Sequence, residues 1–253
     1  MDGLTKNNSM ESLEDIGFGG LKLLQSEDGF RFGIDAVLLA DFACRICPDA
    51  GSVVDLGTGN GAVAFIMSHK NEKCSLIGID VQAKAIELAR RSCAMNGLDD
   101  RMDFIRCDAA ELADVMPQLR GTADVVVSNP PYVARGAGLI NDGDSRFISR
   151  QETTAGMEEF AAAAAFCLKD RGHFFLVHRP SRLVDIFCFC RKHGLEPKDV
   201  RFVIPRQWAK PNIVLVHCVK GGGRELSFSD ELNVYDNDGN YTPEIMKIYE
   251  KTG

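Results

Sequence analysis

The sequence predicts a doubly wound α/β fold of seven strands: a parallel sheet with helices on both faces and the last strand antiparallel. Two observations carry the expectation. From residue 51 onward short apolar runs alternate with amphipathic stretches, the strand–helix rhythm of a parallel sheet. The last two runs, Arg201–Ile204 and Ile213–Val219, are joined only through Pro205–Pro211. That link is too short for a parallel crossover, so these two strands are antiparallel neighbours.

Taken in order, residues 1–50 read as an N-terminal extension and 51–253 as the main domain. The first fifteen residues are polar and are expected to be mobile. Leu21–Gln25 and Gly29–Phe32, on either side of Ser26-Glu27-Asp28, read as a hairpin, and Ile34–Cys44 as a helix. Strands follow at Ser52–Leu56, Ser75–Asp80, Met102–Arg106, Asp124–Ser128 and His173–His178. Helices are expected at Asn60–His69, Gln82–Asn96, Ala109–Leu119, Arg150–Leu168 and Ser181–His193. Within Gln82–Asn96, Ala85, Leu88, Ala89 and Ser92 share one helix face, and Asn96-Gly97 supplies the stop.

Hydrophobic residues make up 45% and charged residues 26% of 253, which excludes a disordered or collagen-like chain. No run approaches the roughly 18 apolar residues of a membrane span. The N-terminus is too polar for a signal peptide, so a cytoplasmic protein without a membrane partner is expected. Cysteines number nine, and Cys74, Cys93, Cys167, Cys188, Cys190 and Cys218 lie in apolar runs as reduced, buried thiols. Cys44 and Cys47 have metal-like spacing but no second pair, so no metal is expected. His173 and His178 have no evident Ser or Cys partner for a hydrolase triad. A net charge of −7 argues against a protein that merely coats nucleic acid. Residues 179–210 depart from this: eight bases stand there against three acids. Arg179, Arg182, Arg206 and Lys210 are therefore candidate RNA contacts, the alternative being a solvated surface. Trp208, set among them, either contacts RNA or anchors its loop on the core.

The chemistry concentrates at four strand ends. Val53-Val54-Asp55-Leu56-Gly57-Thr58-Gly59-Asn60-Gly61-Ala62 runs from a buried strand through a glycine-rich turn into a helix, where the backbone can approach a ligand closely. Its glycines also fit a dinucleotide fingerprint, but Asp55 would repel a pyrophosphate and could hold an ammonium group. Asp80, followed by Val81, ends the second strand, placed either to accept ribose hydroxyls or to cap the next helix. Asp108, followed by Ala109, stands in the same position after the third strand, as a cap or as a partner for an adenine amino group. Ser128-Asn129-Pro130-Pro131-Tyr132 ends the fourth. Two prolines stiffen the backbone and Asn129 adds a side-chain carbonyl, so fixed acceptors face a planar –NH2 group with Tyr132 as a stacking surface.

Asp55-Leu-Gly57-Thr-Gly59-Asn-Gly61 with Asn129-Pro-Pro-Tyr132 resembles the S-adenosylmethionine-dependent amino-methyltransferases. The flanks resemble more narrowly the bacterial tRNA1(Val) adenine-N6-methyltransferases. These flanks are Gly29–Ala40, Arg150-Gln151-Glu152, His178-Arg179-Pro180, Ala209–Asn212 and Val234–Glu244. The resemblance covers roughly residues 17–249, and Val133–Ser149 matches no firm family pattern. It implies a Rossmann-like methyltransferase sheet of order 3-2-1-4-5-7-6. It implies S-adenosylmethionine over Gly57, Thr58, Gly59, Asn60 and Gly61, with Asp55 near its amino group, Asp80 and Val81 at the ribose, and Asp108 and Ala109 at the adenine. Phe32 and Asp35 would close the methionine side, and Asn129, Pro130, Pro131 and Tyr132 would hold the accepting amine, Asn129 also bordering the cofactor. The implied partner is tRNA, met by a monomer or weak dimer. The alternatives are a glutamine methyltransferase acting on a translation release factor, an amino-methyltransferase of rRNA or DNA, a nicotinamide dehydrogenase, and a non-catalytic binding module.

Overall fold

The computed structural model describes residues 11–26, 33–130 and 156–251. Strand β1 (Glu11–Asp15) pairs antiparallel with β2 (Lys22–Ser26), Leu13 opposite Leu24. This corrects two expectations. The partner of Leu21–Gln25 precedes it, and Glu11–Asp15 is an ordered strand; Gly29–Phe32 lie outside the described residues. The connecting turn explains the difference. Gly17, Gly19 and Gly20 take positive φ there, while Ile16 and Phe18 point into the core. Three glycines in four positions were the turn signal, and they lie before β2, not after it.

Helix α1 (Ile34–Ile46) leads into β3 (Ser52–Leu56), α2 (Ala62–Lys70), β4 (Ser75–Asp80), α3 (Ala83–Met95) and β5 (Met102–Arg106). The next stretch was expected as one helix. It is instead a 3-10 turn at Ala109–Glu111, a single helical turn α4 (Leu112–Val115) and a second 3-10 turn at Pro117–Leu119. Pro117 has no N–H to give and disfavours helix at Met116, so the chain restarts there. Strand β6 (Ala123–Ser128) follows, then α5 (Met157–Cys167), β7 (Leu168–His178), α6 (Leu183–Lys192), β8 (Leu195–Arg206) and β9 (Ile213–Lys220). Two short strands, β10 (Ser227–Phe228) and β11 (Leu232–Tyr235), and helix α7 (Pro243–Ile248) complete the chain.

The main sheet runs β5-β4-β3-β6-β7-β9-β8-β10, with β11 also on β8. Its seven long strands follow the expected order, and β9 is antiparallel to both its neighbours. β10 and β11, parallel to β8, extend it to nine strands, because two and four residues carry too little pattern to be read in advance. β8 begins six residues before the expected Arg201. Its early part alternates charges with Pro197, and a register shift between Pro197 and Asp199 absorbs the missing donor.

Both faces of the sheet are covered, as near-continuous apolar strands require. Val53, Val125, Val127, Phe175, Val177 and Leu215 pack toward α1, α2, α3 and α7. Val54, Leu56, Val126, Phe174, Leu176 and Val216 pack toward α4, α5 and α6. All nine cysteines are free thiols, and Cys188 is exposed, contrary to the expectation of burial. It lies two positions from buried Cys190 on α6, and so on the other side of the helix.

Candidate active site

Parallel pairing decides what meets at the C-terminal edge of the sheet. Leu56 is in register with Ile79 of β4 on one side and with Ser128 of β6 on the other. The residues that follow, Gly57, Asp80 and Asn129, therefore leave three adjacent strands side by side, at about 4.8 Å spacing per strand. Ser128 Oγ donates to Leu56 O at 2.8 Å and locks the pair of strand ends.

The glycine turn is held from three directions. The N–H groups of Gly57 and Thr58 both donate to Ile79 O, at 2.8 and 3.0 Å. Gly59 N–H donates to Asp80 Oδ2 at 2.9 Å. Thr58 Oγ1 donates to Asp55 Oδ2 at 2.7 Å. Gly61 has φ +92°, and a Cβ there would stand 2.9 Å from the rings of Phe104 and Phe65. Gly59 has φ +58°, and no atom lies within 4 Å of where its Cβ would be. The turn is packed tightly beneath and open above, which fits a ligand lying over it.

Asp80 is 7% exposed and spans the turn and the next helix. Its Oδ1 accepts the Gln82 N–H at 2.9 Å, opposite the Gly59 bond on Oδ2. Burial raises its carboxyl above the usual range, with the amides of Gln82 and Gly59 pulling back. The carboxylate keeps acceptor capacity beyond these bonds, which is what donating ribose hydroxyls need. Asp55 is 1% exposed, with Oδ1 unpartnered; burial pushes its carboxyl up to about 7. It lies beneath the turn rather than in the open space above it. Asp108 Oδ1 accepts the Ala110 N–H at 3.0 Å, so it does cap a turn. Asn129 is half-buried, Pro130 is buried, and Asp35 stands half-buried in the first turn of α1. Phe32, Pro131, Tyr132 and Arg150-Gln151-Glu152 lie outside the described residues.

Two supports escaped the sequence reading. The Phe160 ring of α5 would sit 3.1 Å from a Cβ on Gly57, and Asn60 Nδ2 donates to Leu24 O at 3.3 Å, tying the N-terminal hairpin to the turn. Neither carries a sequence signal beyond an apolar helix position and an ordinary loop asparagine. A depression of about 430 Å³ lined by Asp124, Lys169 and His173 lies at the opposite edge of the sheet, where the Asp124–Lys169 ion pair closes at 2.6 Å.

The candidate RNA face is only partly available. Arg182 pairs with Asp185 at 2.9 Å, Arg191 with Glu196 at 3.1 Å, Lys192 with Glu158 at 2.6 Å and Arg201 with Glu244 at 2.6 Å. Arg206 and Lys210 make no such pair among the described residues. Trp208 is 93% exposed, which overturns the reading of it as a core anchor. Among the described residues no group of three or more His, Cys, Asp or Glu is placed to hold a metal, and no helix is long and apolar enough to cross a membrane.

Known proteins of similar sequence and structure divide along the same line. A release factor glutamine methyltransferase from Agrobacterium fabrum is 30% identical over 165 residues, 63% of this chain and 55% of its own length. A tRNA1(Val) (adenine(37)-N6)-methyltransferase from Porphyromonas gingivalis is 26% identical over 234 residues, 89% of each chain. A solved structure from Agrobacterium tumefaciens, described as a predicted O-methyltransferase, superimposes with a TM-score of 0.69 at 22% identity, over 85% of this chain and 95% of that one. That likeness establishes the fold. The family model of the methyltransferase small domain matches residues 34–184, from the start of α1 through the glycine turn and Asn129 to the start of α6. Since this match spans more than half of the chain, the protein belongs to that family and is an S-adenosylmethionine-dependent methyltransferase.

Proposed function

We propose that the protein transfers a methyl group from S-adenosylmethionine to the N6 amino group of an unpaired adenine in tRNA, in the anticodon loop of the tRNA1(Val) type. One observation carries the reading: the register that sets Asn129 and Pro130 directly beside the glycine turn. Acceptors suited to an amine would thus stand next to a cofactor lying over the turn.

Bound S-adenosylmethionine supplies a methyl sulfonium, an electrophile strong enough to need neither metal nor covalent nucleophile. The protein's task is placement. Asp80 would accept the ribose hydroxyls, with Val81 beside it, and Asp108 and Ala109 would border the adenine. Asp35 would close the methionine end, the role the resemblance also gives Phe32. The adenine N6 lone pair is delocalised into its ring. Hydrogen bonds from the amino group to Asn129 Oδ1 and the Pro130 carbonyl favour a pyramidal nitrogen and aim the lone pair. Such orientation supplies on the order of 7–11 kcal/mol of barrier reduction. Turning the base out of its stack costs a few kcal/mol, which stacking on the tyrosine of the acceptor motif would partly offset.

The tRNA reading is favoured over glutamine by extent of match: the P. gingivalis enzyme aligns along 89% of its length, the A. fabrum release factor enzyme along 55%. Nucleoside mass spectrometry of unmodified tRNA incubated with the protein and S-adenosylmethionine tests it. N6-methyladenosine is expected; methylation of a release factor glutamine with none on tRNA would reassign the substrate.

Asp80→Ala is expected to weaken S-adenosylmethionine binding by about 1–3 kcal/mol in calorimetry. Because Asp80 also holds Gly59, a cofactor analogue lacking a ribose hydroxyl separates the two roles. It should lose affinity for the natural protein and lose little more for the variant. Unchanged affinity in a folded variant would leave Asp80 only its bonds to the Gly59 and Gln82 amides.

A further inference from the structure

We infer that Trp208, flanked by Arg206 and Lys210, is a stacking post for an unpaired RNA base beside the target nucleotide; this rests on the tRNA reading above. The turn between β8 and β9 is closed by the Ala209 N–H donating to Arg206 O at 3.0 Å. Its third residue, Trp208, has φ +68°. A four-residue turn with positive φ at that position favours glycine. Here the position holds a tryptophan, the one tryptophan of the chain, with 93% of its surface in solvent. Burial does not explain it, since almost all of the ring faces solvent. Turn chemistry opposes it. A bulky aromatic held in a disfavoured backbone and presented to solvent is the arrangement expected of a contact residue.

The surroundings select the occupant. Arg206 and Lys210 have no ion-pair partner among the described residues, whereas Arg182, Arg191, Lys192 and Arg201 each have one. Asp236 follows Tyr235, the residue in register with Arg206. Its Oδ1 accepts the N–H groups of Asp238 and Asn240 at 2.9 Å each, so it is engaged within its own loop. An aromatic ring between two uncompensated cations matches a base with a phosphate on either side. Position agrees as well. His178 at the end of β7 is in register with Val214, and Val203 with Ile213. The 206–210 turn therefore projects from the same edge of the sheet as Asn129. In a protein of net charge −7, a cationic post on that edge restricts how RNA docks.

The single tryptophan makes the test direct. An unmodified tRNA anticodon stem-loop containing adenosine should quench its emission saturably. Trp208→Gly should lower affinity for that RNA by about 10-fold, within the range for one stacked base. The same variant should keep its affinity for S-adenosylmethionine, and its melting temperature should hold or rise, since glycine suits the turn. Trp208→Phe should recover most of the RNA affinity. Arg206→Glu with Lys210→Glu should reduce the salt slope of binding by about one unit per lost phosphate contact. Unquenched emission with RNA affinity within about twofold of the parent overturns the assignment, as does quenching by a release factor and not by RNA. Methylation of the same stem-loop by the parent protein is measured in parallel. If it is methylated while Trp208→Gly binds it as the parent does, the stacking post alone is wrong. If no RNA is methylated, the substrate reading fails and takes the stacking post with it.

Discussion

Asn129→Ala is expected to lower kcat by roughly 100-fold or more while leaving S-adenosylmethionine affinity nearly unchanged. The asymmetry follows from position. Asn129 leaves the end of β6, on the far side of β3 from Asp80, so the proposed amine site and the ribose site flank the glycine turn from opposite strands. A side chain whose main partner is the accepting nitrogen does most of its work as that nitrogen changes geometry. Its loss then appears in turnover, at about 1.4 kcal/mol per factor of ten. Ser128 keeps its bond to Leu56 O in the variant, so the strand end holds its place. Single-turnover kinetics with calorimetry on the same sample checks the split. Equal losses in cofactor affinity and turnover would move Asn129 out of the acceptor site.

Asp55→Asn is expected to flatten the pH dependence of stability in the cofactor-free protein. Burial lifts the Asp55 carboxyl to about 7 in the folded chain, against an ordinary value near 4 when unfolded. Between those values the folded state holds a proton that the unfolded state has released. Stability from this group is therefore fully present below pH about 4 and is lost as pH rises through about 7. Asparagine keeps an oxygen to accept the Thr58 hydroxyl and carries no charge to bury. The variant should gain roughly 2–3 kcal/mol over the parent between pH 5 and pH 8, then run parallel to it. Comparing the two proteins at each pH is necessary, because two buried histidines slope the other way. His178 and His217 are held down to about 4 by burial, so their contribution is lost as pH falls from about 6.5 through 4. Urea denaturation across this range makes the comparison; parallel curves for parent and variant would mean that Asp55 is ionised in the folded protein.

Much of the site was legible because its signals are local. A strand ending in Gly57-Thr-Gly59-Asn-Gly61 and another ending in Asn129-Pro130 announce themselves within ten residues, and each is where the pattern put it. The two readings of Asp80 did not exclude each other: it bonds the first residues before α3 and the glycine turn as well, with lone pairs left for a ligand. Asp55 was harder. Its charge suggested a partner for an ammonium group, yet only the packing of β3 between β4 and β6 shows that it lies wholly enclosed. The hairpin was read one strand too late because both its strands are short and its turn buries Phe18, which stacks on Tyr249 far along the chain at 6.0 Å.

The order of the long strands was implied by the family resemblance; from its own residues the sequence determined the long strands, the antiparallel pairing of the last two, the glycine turn and the acceptor motif. Each depends on apolar period, on proline and glycine stereochemistry, or on the length of a connection, and these are properties of neighbouring residues. Only the tertiary structure decided which charges are spent and which are available. Arg182, Arg191, Lys192 and Arg201 have carboxylate partners within reach, while Arg206 and Lys210 have none among the described residues. It also decided that Trp208 stands in solvent instead of against the core. Ion pairing and burial are set by what other strands and helices bring close, and 34 residues separate Lys192 from its partner Glu158. No local pattern carries that distance.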